Sequence, residues 1–169
     1  MTFRPHAGSF AAIALICAAL FSPACQSKKT KEEAPLLARF YLELKPGEPG
    51  VSVDLPQSGL TIGVQRKPVL VEYDILNAEV AQVELGRCLL VQLTPAAAND
   101  LYRLTVNSLG RRLVLLLNDQ PVGARRIDEA IADGNLLLFL EVPDADLPQV
   151  VRRLKATAGE LARSSRKKK

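Results

Sequence analysis

Alternating apolar and polar residues predict most of the strands in this chain. Period-two alternation over residues 51–55 and 60–64 is typical of half-buried strands joined by a short turn. Residues 80–93 form two such runs on either side of Gly86 and Arg87, which predicts a hairpin. The unbroken apolar run at 113–117 indicates a central strand covered on both faces. Further strands are predicted at 38–44, 122–126 and 135–142.

Helical periodicity is clearest near the end of the chain. A helix is predicted to begin near Asp144 or Asp146, and its apolar stripe comprises Leu147, Val150, Val151, Leu154, Ala158 and Leu161. Thr94 followed by Pro95 predicts another helix, because a capping hydroxyl precedes a proline in the first turn. Shorter helices are predicted at 75–79 and 127–133. The mixture predicts an α+β domain with a mixed or antiparallel sheet and two or three packed helices.

The N-terminus has the layout of a bacterial export signal. Arg4 precedes a 12-residue apolar run at 10–21, which is shorter than the ~20 residues of a membrane-spanning helix. Ser22-Pro-Ala-Cys25 then fits two processing routes, and both cut between Ala24 and Cys25. In the lipoprotein route Cys25 becomes acylated and carries a palmitate-type lipid, whereas ordinary signal peptidase leaves a secreted soluble protein. We expect the lipoprotein route.

Five segments follow from these patterns. Residues 1–24 are predicted to be the signal peptide and residues 25–35, which are polar and charged, a flexible tether. The body divides into an N-terminal strand region, 36–66, and an α+β domain, 67–158, before a basic tail at 159–169. Gln26 follows Cys25 where an Asp would retain a lipoprotein at the inner membrane, so either membrane of the envelope fits.

Cleavage at this bond removes His6, the single histidine of the chain. Without an imidazole, Ser/His/Asp and Cys/His catalysis and histidine-ligated metals are excluded from the mature protein. Cys88 lies in an apolar run and is expected to be a buried small hydrophobe. The carboxylates Asp128, Glu129 and Asp133 lack the spacing of a calcium loop, as does the pair at 144 and 146. We therefore expect no enzymatic activity and no cofactor.

Positive charge is concentrated in the tail. The formal net charge is +4, and five of the last seven residues are basic: Arg163, Arg166, Lys167, Lys168 and Lys169. Three interpretations fit: a solvated helix end that complements the helix dipole, a contact with anionic lipid, or a site for a protein or wall polymer. No basic face with interleaved aromatic residues is present, so nucleic acid is not an expected partner.

From residue 67 to about 154, the order of strand, helix and turn patterns resembles the head region of the first periplasmic domain of SecD, a membrane subunit of protein export. The residues that carry the resemblance are 68–78, 91–94, 110–119, 122–127 and 131–134. Arg125 departs from the pattern, because the family usually has Pro there. The resemblance implies an α+β fold that contacts exported chains, and it implies no catalytic residues in this region.

Together these observations predict a lipid-anchored, non-enzymatic interaction domain on the periplasmic side of the envelope. Its expected partners are the membrane, through the lipid anchor, and exported or envelope proteins. The alternative is a structural envelope lipoprotein that links the membrane to another layer through its basic tail.

Acylation of Cys25 can be tested by the intact mass of the protein recovered from a bacterial membrane fraction. We expect a chain that begins at Cys25 and is heavier than the bare polypeptide by the attached acyl groups. The Cys25→Ser variant should lack the added mass, and a high-salt wash should remove it from the membrane fraction while the acylated wild-type chain stays. An unmodified wild-type chain in that fraction would contradict the prediction.

Overall fold

The structure is a computed structural model and describes residues 34–167. Within that range the chain forms eight strands, two α-helices and a 3-10 turn at Glu72–Asp74. The strands are β1 Ala38–Leu42, β2 Val51–Asp54, β3 Thr61–Val64, β4 Ile75–Val83, β5 Gly86–Leu93, β6 Arg112–Leu117, β7 Gln120–Arg126 and β8 Asn135–Leu138. The helices are α1 Pro95–Val106 and α2 Leu147–Lys167. The prediction of an α+β fold with antiparallel sheets is confirmed.

The central sheet has the order β1-β6-β7, and both of its pairings are antiparallel. Alternate residues of β6 point to opposite faces of this sheet. Leu113 and Leu115 belong to the main core, whereas Val114 and Leu116 belong to a second, smaller core. The prediction of a strand covered on both faces is therefore confirmed.

The β2–β3 hairpin covers the second face of the central sheet. Its residues Leu55, Ile62 and Val64 pack with Val114 and Leu116. The hairpin also continues from β1, because the Leu44 amide donates to the Gly63 carbonyl at 2.8 Å. The β2–β3 hairpin is therefore held both by backbone hydrogen bonds and by the burial of its apolar side chains.

The turn at the tip of this hairpin is held by one carboxylate. The amides of Gln57 and Ser58 donate to Oε2 of Glu141 at 2.7 and 2.9 Å, and the Ser58 hydroxyl donates to Oε1 at 2.6 Å. Partial burial acts to raise the pKa of Glu141, but the hydrogen bonds from Ser58 and Gln57 outweigh it and lower the pKa overall. The carboxylate is therefore charged at neutral pH, and the bonds weaken as the pH falls through its pKa.

A second sheet has the order β4-β5-β8 and contributes one face to the main core. The β4–β5 hairpin is confirmed, but the predicted turn at Gly86 and Arg87 is wrong: the two-residue loop is Glu84-Leu85, and Gly86 and Arg87 begin β5, where they pair with Val83 and Gln82. Beyond β8 the chain passes along β7, where the Glu141 amide donates to the Val122 carbonyl at 2.6 Å. The segment from β8 to Glu141 thus connects the two sheets.

Both helices enclose the main core. The Thr94 hydroxyl accepts the Ala97 amide at the start of α1, and Pro95 occupies the first turn, as the sequence predicts. The longer helix α2 packs on β4 and directs Leu147, Val151 and Leu154 into the core.

Residues 75–79 are strand, and the prediction of a short helix after Asp74 is wrong. The Asp74 carboxylate accepts the Val71 amide at 2.9 Å, so it closes the 3-10 turn rather than beginning an α-helix. Ile75 and Ala78 then enter the core from a strand that pairs with β5 along most of its length. Sheet pairing here outweighs the local capping signal.

Residues 127–133 form a loop, and the predicted helix is absent there. The Ile127 amide donates to the Arg111 carbonyl at 2.8 Å, and the Ile131 amide donates to the Thr105 hydroxyl at 3.0 Å. These backbone groups are satisfied by other elements, so an internal helical ladder is not needed. Ile127 and Ile131 are nevertheless buried, as the apolar pattern indicates, whereas Ala130 is exposed.

β7 lies so close to the segment after β8 that a single added methyl group should destabilise the fold. A Cβ at Gly123 would lie 2.6 Å from the Phe139 carbonyl oxygen, closer than van der Waals contact. We expect Gly123→Ala to lower the free energy of unfolding by about 1–3 kcal/mol, the usual range for overpacking, as measured by urea denaturation. Gly159→Ala is the matched control, because nothing lies within 4 Å of its Cβ position in α2.

The control should raise stability by about 0.5–1 kcal/mol, because alanine favours helix. Equal effects of the two substitutions would contradict the close contact at Gly123.

Candidate binding groove

The outer face of the β4-β5-β8 sheet carries a groove of about 530 Å³. Residues 89 and 91 of β5 and residues 136 and 138 of β8 face the core, so the residues between them face outward. Leu90 and Leu137 supply apolar surface to the groove, while Gln92 and Asn135 supply amide groups. The floor therefore combines apolar contact with hydrogen-bonding capacity.

The loop at 127–134 forms the side of the groove and is fixed at several points. Besides the bonds of Ile127 and Ile131, the Gly134 carbonyl accepts the Leu93 amide at 2.9 Å. Gly134 adopts a φ of +70°, and a Cβ there would lie 2.7 Å from that of Ala98 in α1. The loop is thus held between α1 and the sheet, and its residues 129–133 line the groove.

Charged groups stand at the rim. Asp133 accepts hydrogen bonds from the Asn135 amide at 3.0 Å and from its side-chain nitrogen at 3.1 Å. These bonds, the backbone one first, lower the pKa of Asp133, so its carboxylate stays ionised into the acidic range. Glu129 is exposed beside it.

Arg125 is the basic residue of the groove. It extends from β7 and donates from Nη1 to the Leu137 carbonyl at 3.3 Å, so part of its guanidinium is engaged with β8. Two carboxylates and one partly engaged guanidinium give the rim an acidic balance.

Apolar surface continues beyond the groove along the same edge. Leu137 is 39% exposed and Phe139, two residues further, is 44% exposed. Exposed apolar side chains next to a concave, partly polar surface are typical of an interaction site.

The structure separates the residues singled out in the sequence. Cys25, Lys168 and Lys169 lie outside the described residues. Arg163, Arg166 and Lys167 lie in the last turns of α2, and Arg163 is exposed. The basic residues and the groove therefore belong to different elements.

The carboxylates are also dispersed. Asp128 pairs with Arg126 at 3.3 Å, while Glu129 and Asp133 line the groove. Asp146 precedes α2, where its carbonyl accepts the Val150 amide at 3.0 Å. No group of three or more residues that could hold a metal ion occurs among residues 34–167.

Cys88 is fully buried, in agreement with its position in an apolar run. Burial raises the pKa of the thiol, which disfavours the reactive thiolate at neutral pH. Cys88 is therefore a packing residue.

The groove itself was not predicted from the sequence. The sequence predicts a helix at 127–133, where the structure has the loop that forms the side of the groove. The sequence feature that points to this surface is the alternation of Leu90 and Gln92 with buried neighbours, because it indicates that the sheet has an outer face.

Among residues 34–167, no helix is both long enough and apolar enough to cross a membrane.

No protein-family model matches the chain, and no curated protein matches it by sequence. Solved structures do match. One is a membrane component, SecDF, that enhances protein export: it is 17% identical with a TM-score of 0.56, and the match covers 72% of this chain and 63% of that one. SecDF in a super-membrane-facing form is 19% identical with a TM-score of 0.57, covering 71% and 18%.

A third structure, the translocon-associated membrane protein SecDF from Thermus thermophilus, is 17% identical with a TM-score of 0.50, covering 73% of this chain and 20% of that one. The chain thus spans less than two thirds of the first structure and about a fifth of the other two. At these identities the likeness concerns the fold. The predicted SecD-like periplasmic head fold is confirmed, over about 72% of the chain.

Proposed function

We propose that this chain is a non-enzymatic polypeptide-binding domain of the cell envelope, and that the groove holds an extended segment of an exported or envelope protein. The observation that carries the proposal is the chemistry of the groove. Leu90 and Leu137 offer contact to apolar side chains, and Gln92 and Asn135 offer donors and acceptors to a peptide backbone.

The acidic rim limits which peptide segments the groove would bind. Glu129 and Asp133 lie at the groove, and the carboxylate of Asp133 is held ionised by its bonds to Asn135. An apolar segment that carries a lysine or arginine complements this rim, whereas an acidic segment is repelled. The proposed ligand is therefore a short extended peptide with apolar residues and a basic one.

The SecD-like fold supports the envelope setting of this proposal. One of the similar structures is described as a membrane component that enhances protein export. In our proposal a lipid on Cys25 keeps the domain at the membrane, and the predicted tether, residues 25–35, gives it reach from that anchor.

Fluorescence anisotropy with labelled peptides tests the groove. The chain from residue 25 to 169, carrying Cys25→Ser, is titrated against an apolar peptide with one lysine and against the same peptide with glutamate in place of lysine. We expect saturable binding of the lysine peptide, with at least tenfold weaker binding of the glutamate peptide. Leu137→Asp should weaken binding at least tenfold, because it places a charge on the apolar floor near two carboxylates.

Leu85→Asp is the matched control. It makes the same change at a side chain that is 85% exposed in the β4–β5 loop, outside the groove. Its affinity should equal that of the parent chain, and circular dichroism establishes that both variants fold. Absence of peptide binding, or equal losses in the two variants, would refute the proposal.

A further inference from the structure

Charge is divided between the two parts of the folded chain. Residues 34–146 contain ten basic and fifteen acidic residues, a net charge of −5. Residues 147–169 contain eight basic residues and a single acidic one, Glu160, a net charge of +7. The excess positive charge of the protein therefore begins with α2 and is not confined to the last seven residues.

The helix arranges this charge along one side. Positions 152, 155, 159, 163 and 166 are three or four residues apart, so they lie on one side of α2. The buried residues Leu147, Val151, Leu154 and Ala158 lie on the other side. We call the basic residues at these positions the basic stripe: Arg152, Lys155, Arg163 and Arg166.

The basic stripe belongs to a regular helix throughout its length. Fourteen residues separate its two ends, which corresponds to about 21 Å at the helical rise of 1.5 Å per residue. Arg152 and Arg163 are exposed, and the Lys155 side chain is 46% exposed. Gly159 stands between the two halves of the stripe and adds no side chain to shield them.

Two cations of the stripe have no ion-pair partner within the described fold. Among residues 34–167, neither Arg152 nor Arg163 has an ion-pair partner, and Lys155 makes one long contact with Glu79 at 3.8 Å. Arg153 lies off the stripe, where its Nη2 donates to the Ala34 carbonyl at 3.0 Å.

Carboxylates of the body are engaged to a greater degree. Glu43 pairs with Arg112 at 3.0 Å, Glu48 pairs with Arg111 at 3.5 Å, and Glu141 accepts three hydrogen bonds from the β2–β3 turn. These carboxylates are therefore less available to the stripe of a second copy, and the test below distinguishes a second copy from a partner outside the protein.

We propose that the basic stripe lies along a bilayer that contains anionic phospholipids. The positions of the stripe span about 21 Å along one helix, which suits a plane of phosphate groups better than a single small anion. The groups at positions 152, 155, 163 and 166 are all charged, so the contact is electrostatic and peripheral, without insertion of apolar side chains. It places the flank of α2 at the membrane and is independent of peptide binding.

Vesicle sedimentation tests the proposal with residues 25–169, the chain without its predicted signal peptide, carrying Cys25→Ser, so that neither a lipid anchor nor the apolar run at 10–21 contributes. We expect binding to vesicles containing phosphatidylglycerol, none to pure phosphatidylcholine vesicles, and loss of binding at high salt. Arg152→Glu combined with Lys155→Glu should lower the partition coefficient at least tenfold. Arg66→Glu combined with Lys67→Glu, exposed residues of the same types outside α2, should leave it unchanged within twofold.

Each other outcome overturns the proposal. Full binding by the 152/155 variant, with loss on Arg163→Glu and Arg166→Glu, would assign the contact to the tail alone. An equal loss of vesicle binding in the 66/67 control would show that binding depends on the net charge of the protein and not on a defined surface. Salt-sensitive dimers in sedimentation equilibrium without vesicles, abolished in the 152/155 variant, would assign the stripe to a second copy. The Leu137→Asp variant should bind vesicles as its parent does, so failure of the peptide-binding proposal can be distinguished from failure of this one.

Discussion

The burial of β6 on both faces is the constraint on which the rest of the fold depends. Its central residues are apolar without interruption, so a single covering layer would leave Val114 and Leu116 in water. Burying a side chain of this size contributes about 1.5–3 kcal/mol, so exposing two would remove a substantial part of the stability of a domain. The β2–β3 hairpin exists as that second layer, and Glu141 secures its turn through three hydrogen bonds.

The same arrangement positions the groove. β7 follows β6 through a tight turn in which Asn118 and Asp119 have positive φ, and it then approaches the segment that continues β8. Gly123 permits the approach, and Arg125 reaches from β7 to the Leu137 carbonyl. The outer face of β8 is therefore placed by contacts that begin at the central strand.

Much of the fold could be predicted from the sequence where local pattern and tertiary role agree. Three elements form as their local pattern predicts: the strand at 113–117, the hairpin that ends at Leu93, and the helix α2 with its apolar stripe. The failures occur at 75–79 and 127–133, where a capping-like Asp74 and a helix-like spacing of isoleucines stand in segments whose backbone bonds are made by other elements. Because the groove wall is one of these segments, the candidate site could not be predicted even though most of its surrounding strands were.

The protein carries two surfaces of opposite charge, an acidic-rimmed groove on the sheet and a basic flank on α2. Amide chemical shifts of the isotope-labelled chain, followed during titration with an apolar, lysine-containing peptide, test most directly whether the groove receives an extended polypeptide. We expect shifts concentrated at Leu90, Gln92, residues 129–135 and Leu137, with α2 unaffected. Shifts confined to other surfaces, or none at a saturating peptide concentration, would contradict this expectation.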